Sequence, residues 1–198
     1  MSVPGATPIS VEDTAALIPN LATQQELNEW EHENIYEAQE WALSSRVLRQ
    51  TDPLAEGYVR DLHKRMFGRT WRWAGKYRTR NGINIGCPFH EIRDRIPRLL
   101  GDVRYWIENK TYDLDEIGVR FHHRLVWEIH AFPNGNGRHA RMIADVLVAK
   151  NGRPVFTWGP AGGDLVNEGE VRNAYFTALR ALDVDDRDIK PLLEFART

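Results

Sequence analysis

A mainly helical single domain carrying one small β-hairpin is the fold this sequence predicts. Three observations predict it. Apolar residues recur three and four apart through most of the chain, punctuated by helix caps. One stretch, 77–85, changes to a strand-like period around Asn81-Gly82, a pair that favours the tight turn of a hairpin. A chain of 198 residues, 42% hydrophobic and with seven tryptophans, is enough for one well-filled core.

The elements follow in order. Residues 1–22 carry Pro4, Pro8 and Pro19 and read as an extended arm, packed through Leu17, Ile18 and Leu21 and able to lie on a neighbouring copy. The domain proper is 23–198. Thr23-Gln24-Gln25-Glu26 is a capping box. The helix it opens runs to about Arg49 on Leu27, Trp30, Asn34, Trp41, Leu43, Val47 and Leu48. Thr51-Asp52-Pro53 caps a second helix, carried by Leu54, Tyr58, Leu62 and Met66 to about Phe67. After the hairpin, a third helix uses Ile96, Leu99, Val103 and Trp106. Asp113 to Glu116 open a fourth, with Ile117, Phe121, Leu125 and Ile129 at helical spacing. A fifth runs from the loop after His130 to Asn151-Gly152. A short extended piece, 155–158, and a glycine-rich loop then lead to helices near 167–182 and 188–196.

Composition narrows the function. A net charge of −2 gives no reason to expect non-specific DNA binding. One cysteine, Cys87, cannot form an internal disulfide, which fits a reducing compartment. No long apolar run predicts a membrane span. The first residues have neither the basic nor the apolar part of a signal peptide, so a cytoplasmic enzyme or binding domain is expected. His122 and His123 are adjacent, about 100° apart on a helix, and do not make a metal pair.

The chemistry concentrates in 130–141. This stretch reads His130, Ala131, Phe132, Pro133, Asn134, Gly135, Asn136, Gly137, Arg138, His139, Ala140, Arg141. Glycines allow consecutive N–H groups to converge on phosphate oxygens, and a helix N-terminus favours an anion there. Arg138 and Arg141, three apart, share a helical face and can clamp a polyphosphate. His130 is placed to take a proton near neutral pH. A plain helix-to-helix turn would need one glycine, and Arg141 could instead pair with Asp145 four residues on.

These residues resemble the Fic/Doc (Fido) signature, His-x-Phe-x-acid-Gly-Asn-Gly-Arg-x-x-Arg. The match falls on His130, Phe132, Gly135, Asn136, Gly137, Arg138 and Arg141, and the wording around it is similar to a subgroup called mobile mystery protein B. The resemblance implies a Fic-type helical domain with a hairpin flap. It implies transfer of AMP from ATP, with Mg²⁺, to a Ser, Thr or Tyr hydroxyl of a target protein. His130 would then be the general base, and Arg138 would steady the α- and β-phosphates in catalysis. Arg141 would bind the γ-phosphate, and Gly135, Asn136 and Gly137 would line the phosphates. Glycine at 137 is similar to the AMP-transferring members, since Doc-like toxins have lysine there and move phosphate itself. Ile83, Asn84 and Ile85 would hold the target segment, and Tyr175 would lie on the adenine side. The family's inhibitory helix ends in Glu-Gly or Glu-Asn, which points to Glu33 in 23–49 as a brake on Arg141.

The chain departs from the signature at Asn134, where the family has an acid that binds Mg²⁺. A neutral carbonyl remains an acceptable hard ligand. Two alternatives follow: a Fic scaffold that binds nucleotide or protein without turnover, or a transferase with another nucleotide donor.

Overall fold

The computed structural model describes residues 15–21, 23–81, 85–160, 165 and 169–198. The architecture is mainly helical, built around a central helix that the 130–141 stretch opens.

Helix α1 (Gln24–Leu43) begins at the expected capping box. Glu26 N–H donates to Thr23 Oγ1 at 3.1 Å, and Thr23 N–H donates to Glu26 Oε2 at 3.0 Å. It stops before Arg49. Ser44 leaves helical geometry, its hydroxyl donates to Trp41 O, and its oxygen accepts from Val47 N–H to start α2 (Ser45–Gln50). A serine hydroxyl competes with the helix for backbone partners, so one expected helix becomes two. The inner face of α1 is Leu27, Glu31, Asn34, Ala38 and Ala42, an ordinary apolar stripe with two polar residues in it.

Helix α3 (Glu56–Phe67) starts later than Pro53 because Asp52 Oδ1 first accepts from Leu54 N–H in a local turn. A 3₁₀ turn (Phe89–Glu91) leads into α4 (Ile92–Asn109), which buries Ile92, Ile96, Leu99, Leu100, Val103 and Trp106. Helix α5 (Leu114–His123) continues as a π-helical turn (Arg124–Ile129) ending on His130. Helix α6 (Asn136–Lys150) is the centre of the core: Met142 through Val148 are all buried. Helices α7 (Glu170–Val184) and α8 (Lys190–Arg197) close the far side, and the extended piece docks on α8 through Thr157 N–H to Ala196 O at 2.9 Å.

One expectation is corrected. Ile18 does not pack; it is 44% exposed, while Leu17 and Leu21 are half-buried. The described end of the arm pairs instead through its backbone, as Ile18 N–H donates to Thr70 O and Arg72 N–H to Ala16 O. The expected hairpin, 77–85 around Asn81-Gly82, has its tip and most of its second leg outside the described residues, and the flanking pieces 77–81 and 85–88 show no ladder. Each piece bonds to the end of the π-turn: Arg78 N–H to Ala131 O at 2.9 Å, and Cys87 N–H to Ile129 O at 3.4 Å. Gly82, Ile83 and Asn84 lie outside the described residues.

Among the described residues no helix is long and apolar enough to cross a membrane.

Candidate active site

The π-turn sets His130. Its N–H donates to Leu125 O, five residues back, at 2.9 Å, and its backbone is left-handed at φ 49°. Extra winding and a left-handed non-glycine residue are the kind of local strain that collects at working sites. The Nδ1–H donates to Val126 O at 2.9 Å. That bond fixes the tautomer and makes Nε2 the basic nitrogen. Burial, opposed by the Val126 carbonyl and aided by the Arg78 charge, pushes the imidazole down to about 4, so it is neutral at pH 7. The side chain is 4% exposed, and Gly86 lies against it: a Cβ on Gly86 would sit 2.6 Å from His130 Cβ.

The loop after His130 is held from inside. Asn136 turns its amide inward, where Oδ1 accepts from Phe132 N–H at 2.8 Å and Nδ2 donates to Phe132 O at 2.7 Å. Its side chain therefore staples the loop, and only its backbone N–H remains for phosphate. Phe132 is buried and stacks on His63 with ring centroids 3.7 Å apart. His63 accepts from Gly75 N–H at Nδ1 and donates from Nε2 to Asn134 O, both at 3.0 Å. Burial first, and the nearby His139 next, hold its pKa well below the ordinary histidine value. His139 donates from Nε2 to Val59 O at 2.9 Å. Neither His63 nor His139 was singled out from the sequence, because the contacts that use them come from α3 and the Gly75 turn.

The two glycines differ. Gly135 is left-handed at φ 78°, and a Cβ there would meet the Phe67 ring at 2.5 Å. Gly137 has no such requirement: a Cβ would find only Arg141 Nη1 at 3.7 Å and Val126 at 3.9 Å. With Gly135 as N-cap, the first-turn N–H groups of Asn136, Gly137 and Arg138 have no carbonyl of their own helix to bond. Asn134 Oδ1 accepts from Gly135 N–H at 2.6 Å. Among the described residues no cluster of three or more His, Cys, Asp or Glu could hold a metal. One neutral oxygen, already in use, is a poor resident Mg²⁺ site but can join an ion brought by phosphate oxygens.

The arginines carry the clearest departure from expectation. Glu33 is exposed and makes no ion pair with Arg141. The acid that faces the loop is Glu31, one half-turn earlier and 4% exposed. Its Oε2 accepts from Arg138 Nη1 at 2.5 Å, and its Oε1 accepts from Trp71 Nε1 at 2.6 Å. Residues 31 and 33 are about 200° apart on a helix, so only one can face inward, and the stripe Leu27-Glu31-Asn34-Ala38 was the signal for which.

Arg141 stands beside Tyr175, its guanidinium carbon 5.6 Å from the ring centroid. Tyr175, expected on the adenine side, is buried, and its hydroxyl lies 2.8 Å from His122 Nε2. The Arg141 pairing with Asp145 does not form, because Asp145 Oδ1 accepts from Trp158 Nε1 and Phe156 N–H. Ile85 is half-buried at the end of the described leg.

Known proteins are similar to this chain in sequence and fold. Residues 53–148 match the Fic/DOC family. A probable protein adenylyltransferase of Aquifex aeolicus is 36% identical over 58 residues, 29% of this chain and 18% of that protein. The protein adenylyltransferase fic-1 of Caenorhabditis elegans is 23% identical over 155 residues, 76% of this chain and 28% of that protein. This chain thus spans less than a third of either relative. In three dimensions it resembles a Fic domain containing signaling protein from Bacteroides thetaiotaomicron, with a TM-score of 0.66 at 19% identity, covering 89% of this chain and 70% of that one. It also resembles BepC of Bartonella tribocorum with bound AMPPNP, with a TM-score of 0.59 at 16% identity, covering 89% and 87%. Residues 53–148, which hold the motif, match the Fic/DOC family, and the fold around them is that of solved Fic domain proteins.

Proposed function

We propose that this chain transfers AMP from ATP to a hydroxyl of a target protein. The observation that carries it is the junction at Gly135. A left-handed cap leaves the first N–H groups of α6 without a helical carbonyl, beside Arg138, on a loop whose other end is a neutral histidine of fixed tautomer. The relatives named as adenylyltransferases and the small residue at 137 support AMP as the group moved. The substrate would be MgATP: the ion would come with the phosphates, and Asn134 Oδ1 would help to hold it.

In the reaction His130 Nε2 takes the proton of the target hydroxyl. The oxygen attacks the α-phosphorus, the bond from that phosphorus to the β-bridging oxygen breaks, and pyrophosphate leaves. The α6 N–H groups and Arg138 stabilise the charge that grows on these oxygens, and Arg141 holds the outer phosphates. A hydroxyl reaching Nε2 has to displace what covers the ring.

The chain carries its own brake, through Glu31. While Glu31 holds Arg138, that guanidinium is not available to phosphate. A second reading, a nucleotide-binding scaffold without turnover, draws on Asn134 and on the buried ring of His130.

Incubation with labelled ATP and a cell lysate separates them. Labelled protein, increased in Glu31→Gly and lost in His130→Ala, is expected. Nucleotide binding with no label, even in Glu31→Gly, would establish the scaffold; label from a different nucleotide only would move the donor.

A further inference from the structure

Arg78 is a buried cation with no carboxylate partner among the described residues. It is 7% exposed. Its guanidinium is spent on backbone carbonyls. Nε donates to His130 O at 2.7 Å, Nη1 to Arg80 O at 3.0 Å, and Nη2 to Ile129 O at 3.3 Å and to Cys87 O. Its own backbone N–H donates to Ala131 O at 2.9 Å.

Burying a charge without a counter-ion is costly, and carbonyl dipoles offset that only when they converge. Here they converge from three pieces of chain: 80 on one leg, 87 on the other, and 129–130 at the π-turn. Arg78, on the first leg, reaches the Cys87 carbonyl on the second and the His130 carbonyl at the turn, so one side chain joins all three. A lysine could not replace it, since one ammonium has three donors at a single point and the guanidinium fork spans several.

We propose that Arg78 is a positioning residue: it fixes the turn that presents His130 and locks that turn to the carbonyls of Arg80 and Cys87. The proposal rests on His130 being the base. Among the groups acting on the imidazole are the Val126 carbonyl, from the π-turn, and the Arg78 charge, from the first leg; the Cys87 thiol stands on the second leg, against Arg78. Arg78 therefore also favours the neutral ring that a base needs.

The test uses Arg78→Lys and Arg78→Gln in the full chain, checked by circular dichroism. Three readings are taken: ATP affinity, the rate of AMP transfer, and the His130 ring followed by ¹⁵N chemical shift across pH. Both variants are expected to keep ATP affinity, because the phosphate loop begins beyond the turn. Transfer should fall roughly a hundredfold, the usual cost of misplacing a reacting group by an ångström. In Arg78→Gln the ring midpoint should rise from about 4, and in Arg78→Lys the Nδ1–H tautomer should lose its dominance. Variants with wild-type transfer and an unchanged ring signal overturn the proposal. Should both variants fail to fold, the wild type decides: an Arg78 Nε–H that exchanges as fast as that of exposed Arg93 overturns it, and strong protection supports it. If the wild type never transfers AMP, the proposed function fails, and the ring signal alone judges Arg78.

Discussion

Gly135 and Gly137 are two residues apart and look alike in the sequence, but they are under different physical demands. At 135 any Cβ meets the Phe67 ring at 2.5 Å with φ at 78°, so Gly135→Ala should destabilise the fold by about 1–3 kcal/mol, read by chemical denaturation. At 137 the backbone is helical and the space is open, so nothing in the fold requires glycine. Alanine there should leave stability within about 1 kcal/mol, and helix propensity favours it. What it should lose is nucleotide affinity, because the methyl group stands over the N–H groups that meet phosphate. An affinity measurement that finds Gly137→Ala unchanged would remove the phosphate role from this residue. The sequence could not separate these glycines, since their difference lies in Phe67 of α3 and not in the loop.

Element by element, helices announced by their own residues were legible. Thr23 and Glu26 form the box that their spacing predicted, and α4 buries the residues that its period marked. Misreadings occur where a distant segment decides. Residues 77–81 and 85–88 bond to the π-turn, a partnership that nothing in their own composition announces. Glu33 has the family's sequence context, but the face of α1 that turns inward carries Glu31. That face makes a prediction for the helix as a whole. Glu31→Gln keeps an acceptor for Trp71 Nε1 and removes the charge opposite Arg138. ATP affinity should rise by about tenfold, as expected from releasing one partly buried ion pair worth ~1–2 kcal/mol. Glu33→Gln, on the exposed face, should change nothing. If titration gives equal affinities for both variants and the wild type, α1 is not a brake.

The molecule's response to acid is set by the balance among its buried groups. His130 and His139 titrate near 4 in the fold, pushed there by burial, and burial also holds His63 and His122 well below the ordinary value of 6.5. Unfolded, all four take up protons as the pH drops below about 6.5. Between 6.5 and 4 the unfolded chain therefore binds more protons, and the stability present above 6.5 is progressively lost as the pH falls. Asp145 works against this. Burial raises it to about 7, so in the fold it holds a proton that the unfolded chain releases above its usual 3.8. Its contribution is full below 3.8 and is lost as the pH rises through 7. Burial also lowers His123 and raises Glu128, so five histidines against two carboxyls settle the sign: the melting temperature should fall as the pH goes from 6.5 to 4. Asp145→Asn keeps a side-chain carbonyl for Trp158 Nε1 and Phe156 N–H while removing the opposing titration. Its melting temperature should drop more steeply over that range than the wild type's, and relative to the wild type it should gain stability above pH 7. Parallel curves for the two proteins would mean that Asp145 is ionised in the fold at neutral pH, with its charge offset by Arg141 and by the donors of Trp158 and Phe156.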